Sequence, residues 1–174
     1  MHAAWMLALL LIGEAADKPA APPPARVRPA GNARHVLADA AERSRTIRDL
    51  CDRLDASDVI VYVEMTGSPQ VPTARTTLVT TTPAARFLRI AISNTTPPFD
   101  VAPLLAHELQ HAVEIAEHEE VRDAAGVRRL YVTIGREGAT DEFETDAARS
   151  TERTVREEIR AARVLASARR TSRD

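Results

Sequence analysis

The chain has 174 residues and a formal net charge of −2 at pH 7, so its overall charge gives no sign of binding to nucleic acid or to an anionic membrane surface. Apolar residues make up 44% and charged residues 28% of the sequence, which is typical of a soluble globular protein, and this length predicts one domain with appendages. Because Cys51 is the only cysteine, an intrachain disulfide is excluded.

The N-terminal residues 1–15 are interpreted as an export signal. Their apolar run over residues 3–12 is too short to span a bilayer as a mature helix, and Gly13 and Ala15 are small residues at the positions that flank a cleavage site. No Lys or Arg precedes the run, so a retained membrane anchor is the alternative. The Pro- and Ala-rich residues 16–32 predict a disordered linker, and residues 167–174 a flexible tail. We therefore expect a secreted or periplasmic protein without stable membrane insertion after cleavage.

The folded domain is predicted to span residues 33–166. Apolar residues at helical spacing predict a first helix over residues 33–56. The period then changes, and β-branched runs at residues 58–66, 75–81 and 86–93 predict three short strands. Because their connections have the length of turns, we expect an antiparallel meander.

The second half of the domain is predicted to be helical. Asp100 can cap a helix that contains residues 104–118, LLAHELQHAVEIAEH, and a short helix should follow over residues 127–133. Asp141 can cap a long final helix over residues 142–166. The order of elements predicts the α+β class.

The motif H-E-x-x-H, formed by His107, Glu108 and His111, is the main functional signal in the sequence. On a helix, residues four apart lie about 6 Å apart along the axis and face the same way, so both imidazoles can bind one zinc ion. Glu108 is turned about 100° from His107, where its carboxylate can take a proton from an activated water. The alternative is a chance match by two exposed histidines on a surface helix.

A catalytic zinc site needs a third protein ligand and an open fourth position. Glu114 and Glu117 stand where one type of zinc peptidase has a glycine and a third histidine, so that type is disfavoured. A glutamate from the later segment DEFETDAARS is the other possibility. Glu142 and Asp146 form E-x-x-x-D, a pattern in which the Glu binds zinc and the Asp orients a ligand histidine. Glu144 instead lies on a predicted apolar helix face, where its buried carboxylate would need a partner such as a metal ion. This burial argument favours Glu144 over Glu142.

These residues resemble the gluzincin-type zinc metallopeptidases, with HELQH at residues 107–111 and a glutamate in EFETDAA on a following helix. The chain also resembles small bacterial exported proteins with an HELQHA helix and an ETxAA helix, which favours Glu144. The resemblance implies a reduced zincin-like core, with a backing helix, a small three-stranded, mostly antiparallel sheet, the motif helix and a long C-terminal helix. It also implies a peptidase with Glu108 as general base and a peptide or protein substrate extended along an edge strand. The zinc would be held by His107, His111 and Glu144.

The donor that stabilises the transition state in this family has no matching motif in the sequence. Tyr131 and His118 are candidates by their chemistry alone. The rival functional hypothesis is a non-catalytic envelope binding or interaction protein with a structural or vestigial zinc site. The small size of the domain favours that rival, because little of the chain remains to form a substrate-binding lobe.

Overall fold

A computed structural model describes residues 25–71, 73–137 and 143–171. The predicted signal, most of the predicted linker, Asp141 and Glu142 lie outside these residues, as does the end of the predicted tail. The described parts have the predicted α+β class. In chain order the elements are β1 (Val27–Pro29), α1 (Ala33–Arg43), α2 (Arg45–Asp55), β2 (Val59–Thr66), β3 (Ala74–Thr81), β4 (Arg86–Ser93), α3 (Pro98–Ala116), α4 (Ala124–Ile134), β5 (Arg136–Glu137), β6 (Phe143–Glu144) and α5 (Asp146–Thr171).

The main sheet has four strands in the order β1-β2-β4-β3. Strand β2 runs parallel to both β1 and β4, and only β3 pairs antiparallel with β4. The prediction of a three-stranded antiparallel meander was therefore wrong. Strand β4 lies in the interior of the sheet and buries most of its side chains. Strand β3 lies at the edge of the sheet, and its half-buried side chains mostly alternate with exposed ones. The β2–β3 connection over residues 67–73 is longer than a tight hairpin turn, which leaves room for β4 between the two strands.

Strand β1 lies inside the segment that the sequence assigned to the linker. Val27 is buried in the core, and the backbone of this segment pairs with β2 through Val61 N–H to the Arg26 carbonyl (2.9 Å) and Ala30 N–H to the Val63 carbonyl (2.8 Å). A strand of three residues is too short for the alternation of apolar and polar side chains that predicts a strand. Neither β1 nor its pairing with β2 could therefore be predicted from the sequence.

The single helix predicted for residues 33–56 is two helices, α1 and α2. Ser44 between them has an extended backbone, is fully buried, and its hydroxyl accepts a hydrogen bond from the Ile47 N–H at 3.1 Å. A serine at this position is a favourable N-cap, and the change of direction lets both helices pack against the same core. The helical spacing of the apolar residues continues across Ser44, so it did not predict the break between the two helices.

Helix α3 is the central helix of the molecule. It packs against β3 and β4 on one side and against α2 and α5 on others, so its side chains from Leu105 to Ile115 are all buried. Asp100 lies in its first turn and pairs with Arg156 of α5 instead of capping it, because the helix already starts at Pro98. No helix within the described ranges is both long and apolar enough to cross a membrane.

Candidate metal centre

Helix α3 brings the side chains of the two motif histidines together. His107 and His111 are both buried, and their Nε2 atoms lie 3.1 Å apart. The rings meet nearly edge to face, with centroids 4.8 Å apart and planes at 77°. The predicted common centre of the two imidazoles is therefore present in the geometry.

The other nitrogen of each ring lies next to a carboxylate. His111 Nδ1 is 2.8 Å from Glu114 Oε2, and His107 Nδ1 is 3.3 Å from Glu152 Oε2, although that buried atom makes no well-aligned hydrogen bond. A carboxylate at Nδ1 favours the proton on that nitrogen and leaves the Nε2 lone pair free. Two lone pairs at 3.1 Å repel each other, so this arrangement suits a proton or a cation shared between them.

Glu144 approaches the same centre from β6. Its Oε1 lies 3.4 Å from His107 Nε2, while its Oε2 accepts a hydrogen bond from Arg149 Nε at 2.9 Å. The helical-phase argument that favoured Glu144 was wrong in its premise, because α5 begins only at Asp146. Glu144 is half-buried and reaches the site from the strand that precedes the helix. Glu142, the competing candidate, lies outside the described residues.

The three candidate ligands, His107, His111 and Glu144, do not form a complete metal-binding group in this structure. Across the described ranges, no three or more His, Cys, Asp or Glu side chains are already arranged as a complete metal-binding group. The structure contains two of the three contacts that such a group needs, His107 to His111 and His107 to Glu144. The third contact would join His111 to Glu144.

Glu108 lines the same cleft as the two histidines. Its carboxylate Oε2 accepts a hydrogen bond from Thr76 Oγ1 of β3 at 2.7 Å, and the same hydroxyl lies 3.0 Å from the Glu108 carbonyl. Burial raises the pKa of Glu108, and the nearby His111 and the Thr76 hydrogen bond only partly offset this. A raised pKa brings a carboxylate closer to the range where it can exchange a proton at neutral pH.

The charges around the imidazoles are dominated by carboxylates. Burial disfavours a charge on His111, but the hydrogen bond that its Nδ1 donates to Glu114 and the charge of Glu108 outweigh it and raise the pKa of His111. Burial likewise opposes ionisation of Glu114, but hydrogen bonds from His111 and Thr145 outweigh it and lower the pKa of that carboxyl. The site is thus electrostatically suited to a positive charge.

The histidines, Glu108 and Glu144 open into a cleft of about 710 Å³. Its walls come from β3, α3, α4 and the start of α5, and Tyr131 of α4 lines it. Tyr131 is buried, its hydroxyl donates to the His111 carbonyl at 3.2 Å, and burial together with the Glu114 charge raises its pKa. His118 is not among the lining residues and pairs with Glu120 instead. Of the two predicted donors, only Tyr131 therefore faces the candidate site.

Several residues of the site were missed by sequence reasoning. Glu114 stands three residues after His111 on one helix, so its spacing could have identified it as a partner of that ring. Thr76, Thr145 and Glu152 come from other elements, and no sequence signal places them beside the motif.

No family model, curated protein or solved structure matches this chain.

Proposed function

We propose that this protein is an exported zinc metallopeptidase that hydrolyses peptide bonds, with zinc bound by His107, His111 and Glu144. The observation that carries the proposal is the pair of buried Nε2 atoms 3.1 Å apart, with a Glu144 oxygen 3.4 Å from one of them, at the base of an open cleft. Two imidazoles and one carboxylate are a typical ligand set for catalytic zinc.

The charges of the site support a divalent cation. Four carboxylates lie near the two imidazoles, and two of them pair with arginines: Glu144 with Arg149, and Glu152 with Arg156. The other two carboxylates, Glu108 and Glu114, are buried, and a buried carboxylate needs a compensating charge or hydrogen bonds. A zinc ion would supply two positive charges at this position.

When bound, zinc supplies an acidified water molecule and polarises a carbonyl. The chain's own contribution begins with Glu108, whose carboxylate accepts a proton and can return it to the leaving amine. Thr76 holds one oxygen of Glu108 at 2.7 Å and so fixes the direction of the other. The Tyr131 ring contacts His111 edge to face at 5.3 Å between centroids, which supports the orientation of that imidazole.

The resemblance of HELQH and EFETDAA to the gluzincin motifs supports the same function. It places a peptide or protein substrate along an edge strand, and β3 is an edge strand that lines the cleft. The proposed export signal places the mature protein in the periplasm or outside the cell. The sequence and the geometry thus support one proposal by separate arguments.

Metal content tests the ligand assignment. The purified chain should hold about one zinc per molecule by elemental analysis, and His107→Ala or His111→Ala should remove it. His118→Ala is the matched control, because this histidine lies outside the cleft and should leave the zinc content unchanged. For the third ligand, Glu144→Ala should weaken zinc binding more than Glu142→Ala. Equal losses from all three histidine variants would contradict the site.

Hydrolysis tests the enzyme assignment. Glu108→Gln should keep the zinc but abolish cleavage of a denatured protein or a peptide mixture, read by mass spectrometry of new termini. A Glu108→Gln variant that cleaves as fast as the wild type would refute the peptidase proposal. Zinc bound at full stoichiometry with no cleavage by the wild type would favour the rival, a binding protein with a structural zinc.

A further inference from the structure

The contact between α3 and α5 contains three polar pairs that we name the polar seam: His107 with Glu152, Gln110 with Thr151, and Glu114 with Thr145. Residue numbers rise along α3 as they fall along α5, as expected for antiparallel packing. Four of the six side chains, His107, Gln110, Glu114 and Thr145, are buried, and a shift of α5 along α3 would separate these polar groups from their partners. The polar seam therefore specifies the register of the two helices.

The last pair of the polar seam connects two candidate metal ligands. Glu114 Oε2 is 2.8 Å from His111 Nδ1, and its Oε1 accepts a hydrogen bond from Thr145 Oγ1 at 2.6 Å. Thr145 directly follows Glu144 and also caps α5, because its hydroxyl accepts the Ala148 N–H at 3.0 Å. One buried carboxylate thus joins the ring of His111 to the backbone position next to Glu144.

The direction of these hydrogen bonds follows from the chemistry of the groups. An ionised carboxylate only accepts, so the ring nitrogen of His111 that faces Glu114 must carry a proton. The same proton placement leaves Nε2 of His111 with a lone pair toward His107, 3.1 Å away. The hydroxyl of Thr145 has one proton and gives it to Glu114, which leaves its oxygen free to cap the helix.

We infer that Glu114 and Thr145 are positioning residues of the metal centre. Glu114 holds His111 in the tautomer that binds metal through Nε2, and Thr145 fixes the start of α5 so that Glu144 reaches the same centre. The part that concerns metal affinity rests on the proposed function, whereas the part that concerns the tautomer does not. Neither residue contacts the reacting atoms.

The test compares Glu114→Gln, Thr145→Val and Thr145→Ser by two measurements. Zinc affinity is measured by competition with a chromophoric chelator, and Glu114→Gln and Thr145→Val should each weaken it by roughly 10- to 100-fold. Thr145→Ser keeps the hydroxyl and should stay within about threefold of the wild type. The matched controls are Glu119→Gln and Thr154→Val, both exposed, which should leave zinc affinity unchanged.

The second measurement is nitrogen-15 NMR of the imidazoles in the metal-free chain at alkaline pH, where neutral rings are observed. His111 should have its proton on Nδ1 in the wild type and should lose this preference in Glu114→Gln. Unchanged tautomer populations in Glu114→Gln would overturn the role of Glu114, and wild-type zinc affinity in Thr145→Val would overturn that of Thr145. If the wild type binds no zinc, the proposed function fails, yet the NMR spectra still decide the inference about His111. Should Thr145→Val not fold, Thr145→Ala tests the role of Thr145 in its place, because it also removes the hydroxyl, and Glu114→Gln tests the role of Glu114.

Discussion

Arg86 in β4 has a fully buried side chain that reaches the C-terminal end of α3. Its guanidinium donates to the carbonyls of Ile115 (2.6 Å), Ala116 (2.9 Å) and His118 (2.7 Å), and it pairs with Asp58 at 2.6 Å. The last carbonyls of a helix lack partners within the helix and carry partial negative charge, so a cation here is favourable. Arg86 thereby fixes the end of the helix that presents the motif histidines.

Arg86→Met should lower the free energy of unfolding by about 3–5 kcal/mol, because it removes a buried cation together with its hydrogen bonds to the carbonyls at the end of α3 and to Asp58. Urea denaturation followed by circular dichroism measures this change. Arg89→Met is the control on the same strand. Arg89 forms an exposed pair with Glu64, so its loss should cost under about 1 kcal/mol. Equal effects of the two substitutions would contradict the structural role of Arg86.

At the level of single residues, the sequence predicted the histidine motif but not the residues that stabilise the helix that carries it. His107, Glu108 and His111 lie within four positions of one another, so helical geometry alone predicts how their side chains are placed relative to each other. Arg86 lies 21 residues before His107 and looks in the sequence like any arginine of an exposed strand face. Its burial depends on which strand occupies the centre of the sheet, and that is a tertiary property.

Among the elements, α5 connects the motif helix α3 to the N-terminal helices α1 and α2. At its first residues it meets α3 through the polar seam, and further along, Glu158 reaches the N-terminus of α2. Glu158 Oε2 accepts the hydroxyl of Ser44 and the Thr46 N–H, and Oε1 accepts the Thr46 hydroxyl at 3.1 Å. A carboxylate at a helix N-terminus is favourable because the first N–H groups are unpaired and carry partial positive charge.

Glu158→Gln should destabilise the protein by about 1 kcal/mol, because the amide loses the charge interaction with the α2 N-terminus and one acceptor of the Ser44 and Thr46 donors. The change is measured as a shift of the urea midpoint. Glu157→Gln on the exposed face of α5 is the neighbouring control and should stay within about 0.5 kcal/mol. A Glu158→Gln protein as stable as this control would show that the contact does not stabilise α2.

At the scale of the whole molecule, the candidate centre is assembled from separate parts of the chain. Helix α3 supplies the histidines and Glu108, β3 supplies Thr76, and β6 with α5 supplies Glu144 and Glu152. A ligand that binds only this assembled form stabilises the folded state by mass action. Metal binding and global stability should therefore be coupled.

Zinc at a free concentration of about 100 times its dissociation constant should stabilise the folded protein by about 2.7 kcal/mol. In differential scanning calorimetry this corresponds to a rise in Tm of roughly 5–10 °C. Addition of a chelator should reverse the rise, and in His107→Ala the Tm should no longer respond to zinc. A wild-type Tm that does not respond to zinc would contradict a metal centre that joins these elements.

The sequence by itself determined the α+β class, most of the helical segments and the histidine motif, because these depend on periods and spacings of a few residues. The tertiary structure decided the sheet order, the strand at residues 27–29, the break at Ser44 and the approach of Glu144 to His107. Each of these depends on contacts between residues far apart in the chain, where burial and hydrogen-bond partners, not local pattern, select the arrangement. Glu144 was favoured for a helix face that it does not occupy, and it approaches His107 from β6, directly before the Thr145 that donates a hydrogen bond to Glu114 of α3.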